Sequence, residues 1–84
     1  MELYEKVDTV KSREDLISFI FHLRMDLKNN KEKWENITLE DYLEAMEAWI
    51  DDMEGYYLNT NQPLPKEPSW KTIADILIAS SMYE

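Results

Sequence analysis

Three segments of the chain repeat apolar residues at the spacing of an α-helix, and this periodicity restricts the fold more than any other feature. Each segment follows a residue whose side chain can cap a first helical turn, namely Ser12, Thr38 or Ser69. Only one glycine, Gly55, interrupts the chain. The whole chain, residues 1–84, is short enough for one domain. We predict an all-α three-helix domain with helices at about 12–28, 38–58 and 69–82.

The end of the second helix depends on how Gly55 is interpreted. A glycine can end a helix, but Asp51 and Glu54 would then place negative charge at the negative end of the helix dipole. The apolar stripe also continues to Tyr57. We therefore expect the helix to reach about Leu58, with Gly55 as an interior residue that costs about 1 kcal/mol.

The segments outside the three helices are less regular. Leu3, Tyr4, Val7 and Val10 fit either a short helix or an extended arm, so a short N-terminal element is expected. Residues 62–68 hold all three prolines and predict an extended linker. The predicted core consists of Leu16, Phe19, Ile20, Leu23, Leu43, Met46, Trp49, Ile50, Met53, Trp70, Ile73 and Leu77.

The overall charge restricts the classes of partner. The chain has 18 acidic and 9 basic residues and a net charge of −9, which disfavours nucleic acids and favours basic proteins or cations. It has no cysteine, which excludes disulfides and thiolate metal sites and fits a cytoplasmic protein. The N-terminal residues lack the pattern of a signal peptide, and no apolar run approaches the roughly 18 residues of a membrane span.

The second helix carries a row of acidic residues opposite its apolar stripe. No lysine or arginine occurs between Thr38 and Asn61, and like charges four residues apart destabilise a helix by roughly 0.2–0.5 kcal/mol per pair. We interpret the row as a binding surface for a basic protein. The alternative is a solvated face that only maintains solubility, with lysines of the same chain as partners. The predicted binding residues are Glu40, Glu44, Glu47, Asp51 and Glu54.

No pattern in the sequence predicts catalysis, a cofactor or a metal site. The chain has neither a calcium-binding loop nor a Glu-x-x-His motif, and its only histidine is His22. Ser18, His22 and Asp26 share one face of a single straight helix, which cannot supply the convergent geometry of a catalytic triad. We expect His22 to face solvent beside Asp26. The P-x-x-P pattern that ends at Pro68 is interpreted as a rigid linker.

Self-association is a further hypothesis for so short a chain. A second apolar row on the first helix, formed by Ile17, Phe21 and Met25, could make a homodimer seam, as could the sparsely charged third helix. The alternative is that the N-terminal element covers these residues. If the protein is a homo-oligomer, its acidic row could serve only solubility.

Four motifs stand out along residues 11–84. They are W-E-N from Trp34, L-E-D-Y-L-E-A-M-E-A-W-I-D-D-M from Leu39, P-S-W-K-T-I-A-D-I-L from Pro68, and a closing Y-E. Together they resemble a small bacterial family of unknown function. The resemblance implies a stand-alone bacterial helical domain and assigns no activity and no catalytic residue. Some small acidic proteins are immunity proteins against basic toxins, so an immunity or adaptor role is expected by analogy.

Overall fold

The computed structural model describes residues 3–83, so Met1, Glu2 and the last residue of the Y-E motif, Glu84, lie outside it. The described residues form helices and turns without a strand, and the predicted all-α fold with a short N-terminal element is confirmed. Of the two alternatives predicted for the N-terminal element, the structure has the short helix and not the extended arm. The elements are α1 (Leu3–Lys6), a 3₁₀ turn (Val7–Thr9), α2 (Arg13–Asn29), a second 3₁₀ turn (Lys31–Lys33), α3 (Leu39–Asn59) and α4 (Trp70–Met82).

The three long helices begin at the predicted caps. The side chains of Ser12 and Thr38 each accept a hydrogen bond of 3.1 Å from the backbone N–H three residues later. At α4 the bonding is reciprocal, because Ser69 Oγ accepts from the Thr72 N–H and Thr72 Oγ1 accepts from the Ser69 N–H. These bonds satisfy backbone donors that a helix leaves unpaired, so short local signals set all three starting points.

The end of α3 is set by an asparagine beyond Gly55. Asn61 has a φ of 58°, which is the left-handed conformation. The Gln62 N–H bonds to the Tyr57 carbonyl at 2.9 Å, and the Asn61 N–H bonds to the Leu58 carbonyl at 3.2 Å. This pair of bonds is a Schellman motif, in which asparagine can replace the usual glycine. The prediction that Gly55 lies inside the helix is confirmed.

Helix α4 is the centre of the packing. Both α2 and α3 pack against α4, whereas α2 and α3 barely touch each other. The N-terminal element covers another side of α4 through the first 3₁₀ turn. The main apolar cluster contains the buried residues Val7, Val10, Phe19 and Ala74, with Leu3, Leu16, Leu77 and Ile78 packed against them.

The predicted core is wrong at five positions, whose side chains are between 36% and 51% exposed. A core made of the full apolar stripes of α2 and α3 requires these two helices to pack against each other. They lie on separate sides of α4 instead, so part of each apolar stripe has no neighbour. Trp70 is the first residue of α4, where fewer neighbours are available. The exposed residues are Ile20, Leu43, Ile50, Trp70 and Ile73.

Candidate protein-binding surface

The predicted acidic residues form a continuous ridge on the outer side of α3. All five are exposed, and they lie opposite Trp49, which is buried against the rest of the chain. At 1.5 Å per residue, the ridge extends for about 21 Å along the helix. We call this surface the acidic ridge; it consists of Glu40, Glu44, Glu47, Asp51 and Glu54.

No basic residue of the same chain neutralises the acidic ridge within residues 3–83. The ion pairs found there join Arg13 to Glu14 and join Lys71 to Asp8 and Asp75, all of them away from the ridge. The lysine partners that a purely solvated face was expected to use are therefore not present in the described part of the chain. The ridge keeps its electrostatic repulsion, which an external basic group could relieve.

Two exposed apolar side chains lie directly beside the acidic ridge. Leu43 and Ile50 are seven residues apart and share one strip of α3. Each lies three or four residues from ridge carboxylates, with Glu40 and Glu47 next to Leu43, and Glu47 and Glu54 next to Ile50. The surface thus combines an apolar strip with an acidic border, an arrangement found in interfaces with an apolar centre and a polar rim.

On the side of the ridge away from Leu43 and Ile50, the C-terminal segment contacts α3. The Tyr83 hydroxyl donates a hydrogen bond to Asp52, and this bond, with a smaller effect of burial, raises the pKa of Tyr83 above its usual value. Asp52 is not among the five predicted binding residues. Its engagement with Tyr83 separates it from the five ridge carboxylates.

The W-E-N motif holds the C-terminal end of α4. The Asn36 side-chain amide donates to the carbonyl of Ser80 at 3.1 Å and to that of Tyr83 at 2.7 Å. The backbone N–H of Asn36 donates to the carbonyl of Ser81 at 3.1 Å. Carbonyl groups in the last turn of a helix have no partner within the helix, so the motif acts as an external cap. Sequence analysis identified the motif but not this contact, which joins residues more than forty positions apart.

The first residue of that motif also explains the role of Asp26. The Trp34 indole N–H donates to Asp26 at 2.8 Å, and the Asn30 side chain donates to the other carboxylate oxygen at 3.0 Å. The expectation that His22 faces solvent is wrong, because His22 is half-buried and packs edge-on against Phe21. The carboxylate of Asp26 therefore anchors the loop after α2.

A second group of polar residues lies inside the fold. Asp75 is 5% exposed, and it accepts hydrogen bonds from the Tyr57 hydroxyl at 2.6 Å and from Lys71 Nζ at 3.2 Å. Burial, followed by the bond to Asp75, raises the pKa of Tyr57. A cavity of about 360 Å³ borders this network and is also lined by Trp49. Because Lys71 compensates the carboxylate, the network is a structural one that joins α3 to α4.

Residues 3–83 contain neither a cluster of metal ligands nor a membrane-spanning helix. No group of three or more histidine, aspartate or glutamate side chains has the arrangement of a metal site. None of the helices described is both long enough and apolar enough to cross a membrane.

These observations define a small all-α domain in which α2 and α3 pack against a central helix, α4. Helix α3 exposes an acidic ridge. The model of a family of unknown function, DUF7660, matches residues 12–84, and the chain belongs to this family. The predicted membership of a family of unknown function is thereby confirmed, whereas a bacterial origin stays a prediction. No curated protein and no solved structure matches the chain.

Proposed function

We propose that the protein is a non-enzymatic protein-binding module that presents the acidic ridge to a basic surface of another protein. The observation that carries this proposal is the absence of any ion pair between the ridge and residues 3–83. The helix carries the repulsion of neighbouring carboxylates and receives no compensation from its own fold. Lysine or arginine side chains of a partner would supply that compensation.

The acidic ridge and the apolar strip have different effects on binding. Exposed charges steer a basic partner and raise the association rate, while contributing modestly to the final affinity. Leu43 and Ile50 can be desolvated in the complex and slow its dissociation. This division predicts a complex whose association depends on salt and whose lifetime depends on the apolar contacts.

Immunity to a basic toxin and an adaptor role both fit such a surface. Both would place the protein in the cytoplasm, in agreement with its lack of cysteine, and neither needs a cofactor. A gene for a basic toxin or nuclease beside the gene of this protein would favour the immunity role.

The experiment compares two variants with the same change of net charge. The first neutralises the ridge with Glu44→Gln, Glu47→Gln and Asp51→Asn. The control carries three neutralised carboxylates outside the ridge, with Glu5, Glu32 and Glu67 each changed to Gln. Immobilised wild type and both variants are used to capture proteins from the source cells, and the association rate of the captured protein is then measured at increasing salt.

We expect the ridge variant to associate roughly tenfold more slowly than wild type, because steering by local charge is lost. The control variant should retain the wild-type rate, since its charges lie outside the contact. Equal capture by all three proteins, together with association that does not change with salt, would contradict the proposal.

A further inference from the structure

The outer face of α2 has the opposite character to the acidic ridge. Ile17 and Phe21 are 61% and 50% exposed, and Ile20 is exposed beside them. Arg24 and Lys28 follow on the same face at helical spacing, and both are exposed. Within residues 3–83 neither cation has a carboxylate at ion-pair distance. We call Ile17, Ile20, Phe21, Arg24 and Lys28 the α2 face.

The α2 face and the surface of α3 match in spacing as well as in charge. On α3, the ridge residues Glu40, Glu47 and Glu54 recur every seven residues, and Leu43 and Ile50 repeat at the same interval. On α2, the pairs Ile17 with Arg24 and Phe21 with Lys28 are also seven residues apart. Seven-residue repeats of apolar residues with flanking charges are how neighbouring helices select each other in coiled coils.

We infer that the partner of this surface is a second copy of the chain, whose α2 face packs against the acidic ridge. The inference rests on the proposed function, since it uses the same ridge as a binding surface. Because α2 and α3 lie on separate sides of α4, the contact is head to tail, and the pair of copies keeps one α2 face and one ridge for further association.

Within one chain the two surfaces do not satisfy each other. Helices α2 and α3 pack on α4 and scarcely touch, so their complementary charges and exposed apolar residues are left for an external partner. A second copy carries the complement of either surface. A foreign basic protein would compete with that copy for the ridge.

The chain exposes more surface than a compact monomer of its size, which is expected when a partner that covers part of it is missing. The surface area is 6177 Å², whereas a compact monomer of 10.1 kDa exposes roughly 5300 Å² by size scaling. The excess is on the order of several hundred Å², and each partner in a stable interface buries about 800 Å². The net charge of −9 opposes association at long range, but the contact brings opposite charges nearest to each other.

The test is sedimentation of the purified chain with two charge-reversed variants. The first, Arg24→Glu with Lys28→Glu, reverses the α2 face. The second, Glu47→Lys with Glu54→Lys, reverses part of the ridge. We expect wild type to dimerise as its concentration rises, and each variant to dimerise at least roughly tenfold more weakly because like charges then face each other. Circular dichroism verifies that both variants keep their helices.

An equimolar mixture of the two variants should regain dimerisation. In the mixture the acidic α2 face of one variant can meet the new lysines of the other, or the two unchanged surfaces can meet as in wild type. Wild type that stays monomeric throughout overturns the inference. So do variants that dimerise like wild type, or a mixture that stays monomeric.

The proposed function can fail or survive independently of this inference. The variant reversed on α2 keeps the ridge intact, so it should still capture a foreign basic protein even as a monomer. Capture by a monomeric wild type would retain the proposed function and remove self-association. Dimerisation without capture of any basic protein would retain the contact between copies and remove the foreign partner.

Discussion

Asp75 on α4 and Glu47 on α3 are both carboxylates on long helices, but the fold treats them differently. Asp75 is buried and receives hydrogen bonds from Tyr57 and Lys71. Glu47 is exposed, and no cation within residues 3–83 pairs with it. A buried charge must be paired for the chain to fold, whereas an exposed charge is solvated and can be left for another molecule. The position of each carboxylate thus separates structural charges from charges available for binding.

Replacing the buried carboxylate should have the largest effect on stability. Asp75→Ala leaves the Tyr57 hydroxyl and the partly buried Lys71 without their main acceptor, and we expect a loss of about 2–3 kcal/mol in the free energy of unfolding. Asp51→Ala on the ridge is the matched control and should change stability by less than about 0.5 kcal/mol. Urea denaturation of both variants measures the difference. Equal losses in the two variants would remove the distinction between the two kinds of carboxylate.

The dependence of stability on alkaline pH tests the contribution of the partly buried Tyr42. Burial raises the pKa of Tyr42 to about 12, and its hydroxyl donates to the Leu77 carbonyl at 2.6 Å. Below pH 10 this tyrosine is neutral in both the folded and unfolded states, so its contribution is complete. Between pH 10 and about 12 it ionises more readily when unfolded, so stability falls as pH rises. Urea midpoints across this range should fall less steeply for Tyr42→Phe than for wild type. Parallel curves would show that Tyr42 does not carry the effect.

The starts of the helices could be predicted because their signals are local. Ser12, Thr38 and Ser69 each bond to a backbone group three residues away, and the apolar periodicity fixes the helices that follow. Leu43 and Ile50 could not be excluded from the core in the same way. They belong to the apolar stripe of α3, and only the separate positions of α2 and α3 on α4 leave them exposed.

The candidate site was predictable to the same degree. Sequence spacing alone placed the five acidic residues on one face of a helix, because they lie within a single element. Their lack of lysine partners could not be deduced, since any basic side chain of α2 could have folded over them. The hydrogen bonds from Asn36 to the end of α4 were also missed, because they join distant segments through backbone carbonyls. Such carbonyls give no signal in the residue sequence.

A substitution at Gly55 tests whether α3 is optimised for stability or tolerates local weakness. A Cβ atom added there would contact no atom within 4 Å, and the glycine does not have a positive φ. Gly55→Ala should therefore raise the free energy of unfolding by about 0.5–1 kcal/mol, because alanine loses less backbone entropy in a helix. Urea denaturation measures the gain. The matching substitution Ala48→Gly, on an exposed position of the same helix, should have the opposite sign and a similar size.

The smallest expected effect is on the acidic ridge itself. Glu47 has Glu44 and Asp51 within helical contact range, so Glu47→Gln relieves repulsion and should stabilise the chain by roughly 0.2–0.5 kcal/mol. Urea denaturation at low salt, at a protein concentration low enough to keep the chain monomeric, measures this gain, which should shrink as added salt screens the ridge. Glu67→Gln, in the linker, is the control and should leave stability unchanged at any salt. A clear loss of stability in the Glu47 variant would mean that the carboxylate has a stabilising partner. The ridge would then be a structural feature like Asp75, and its carboxylates would not be left for another protein.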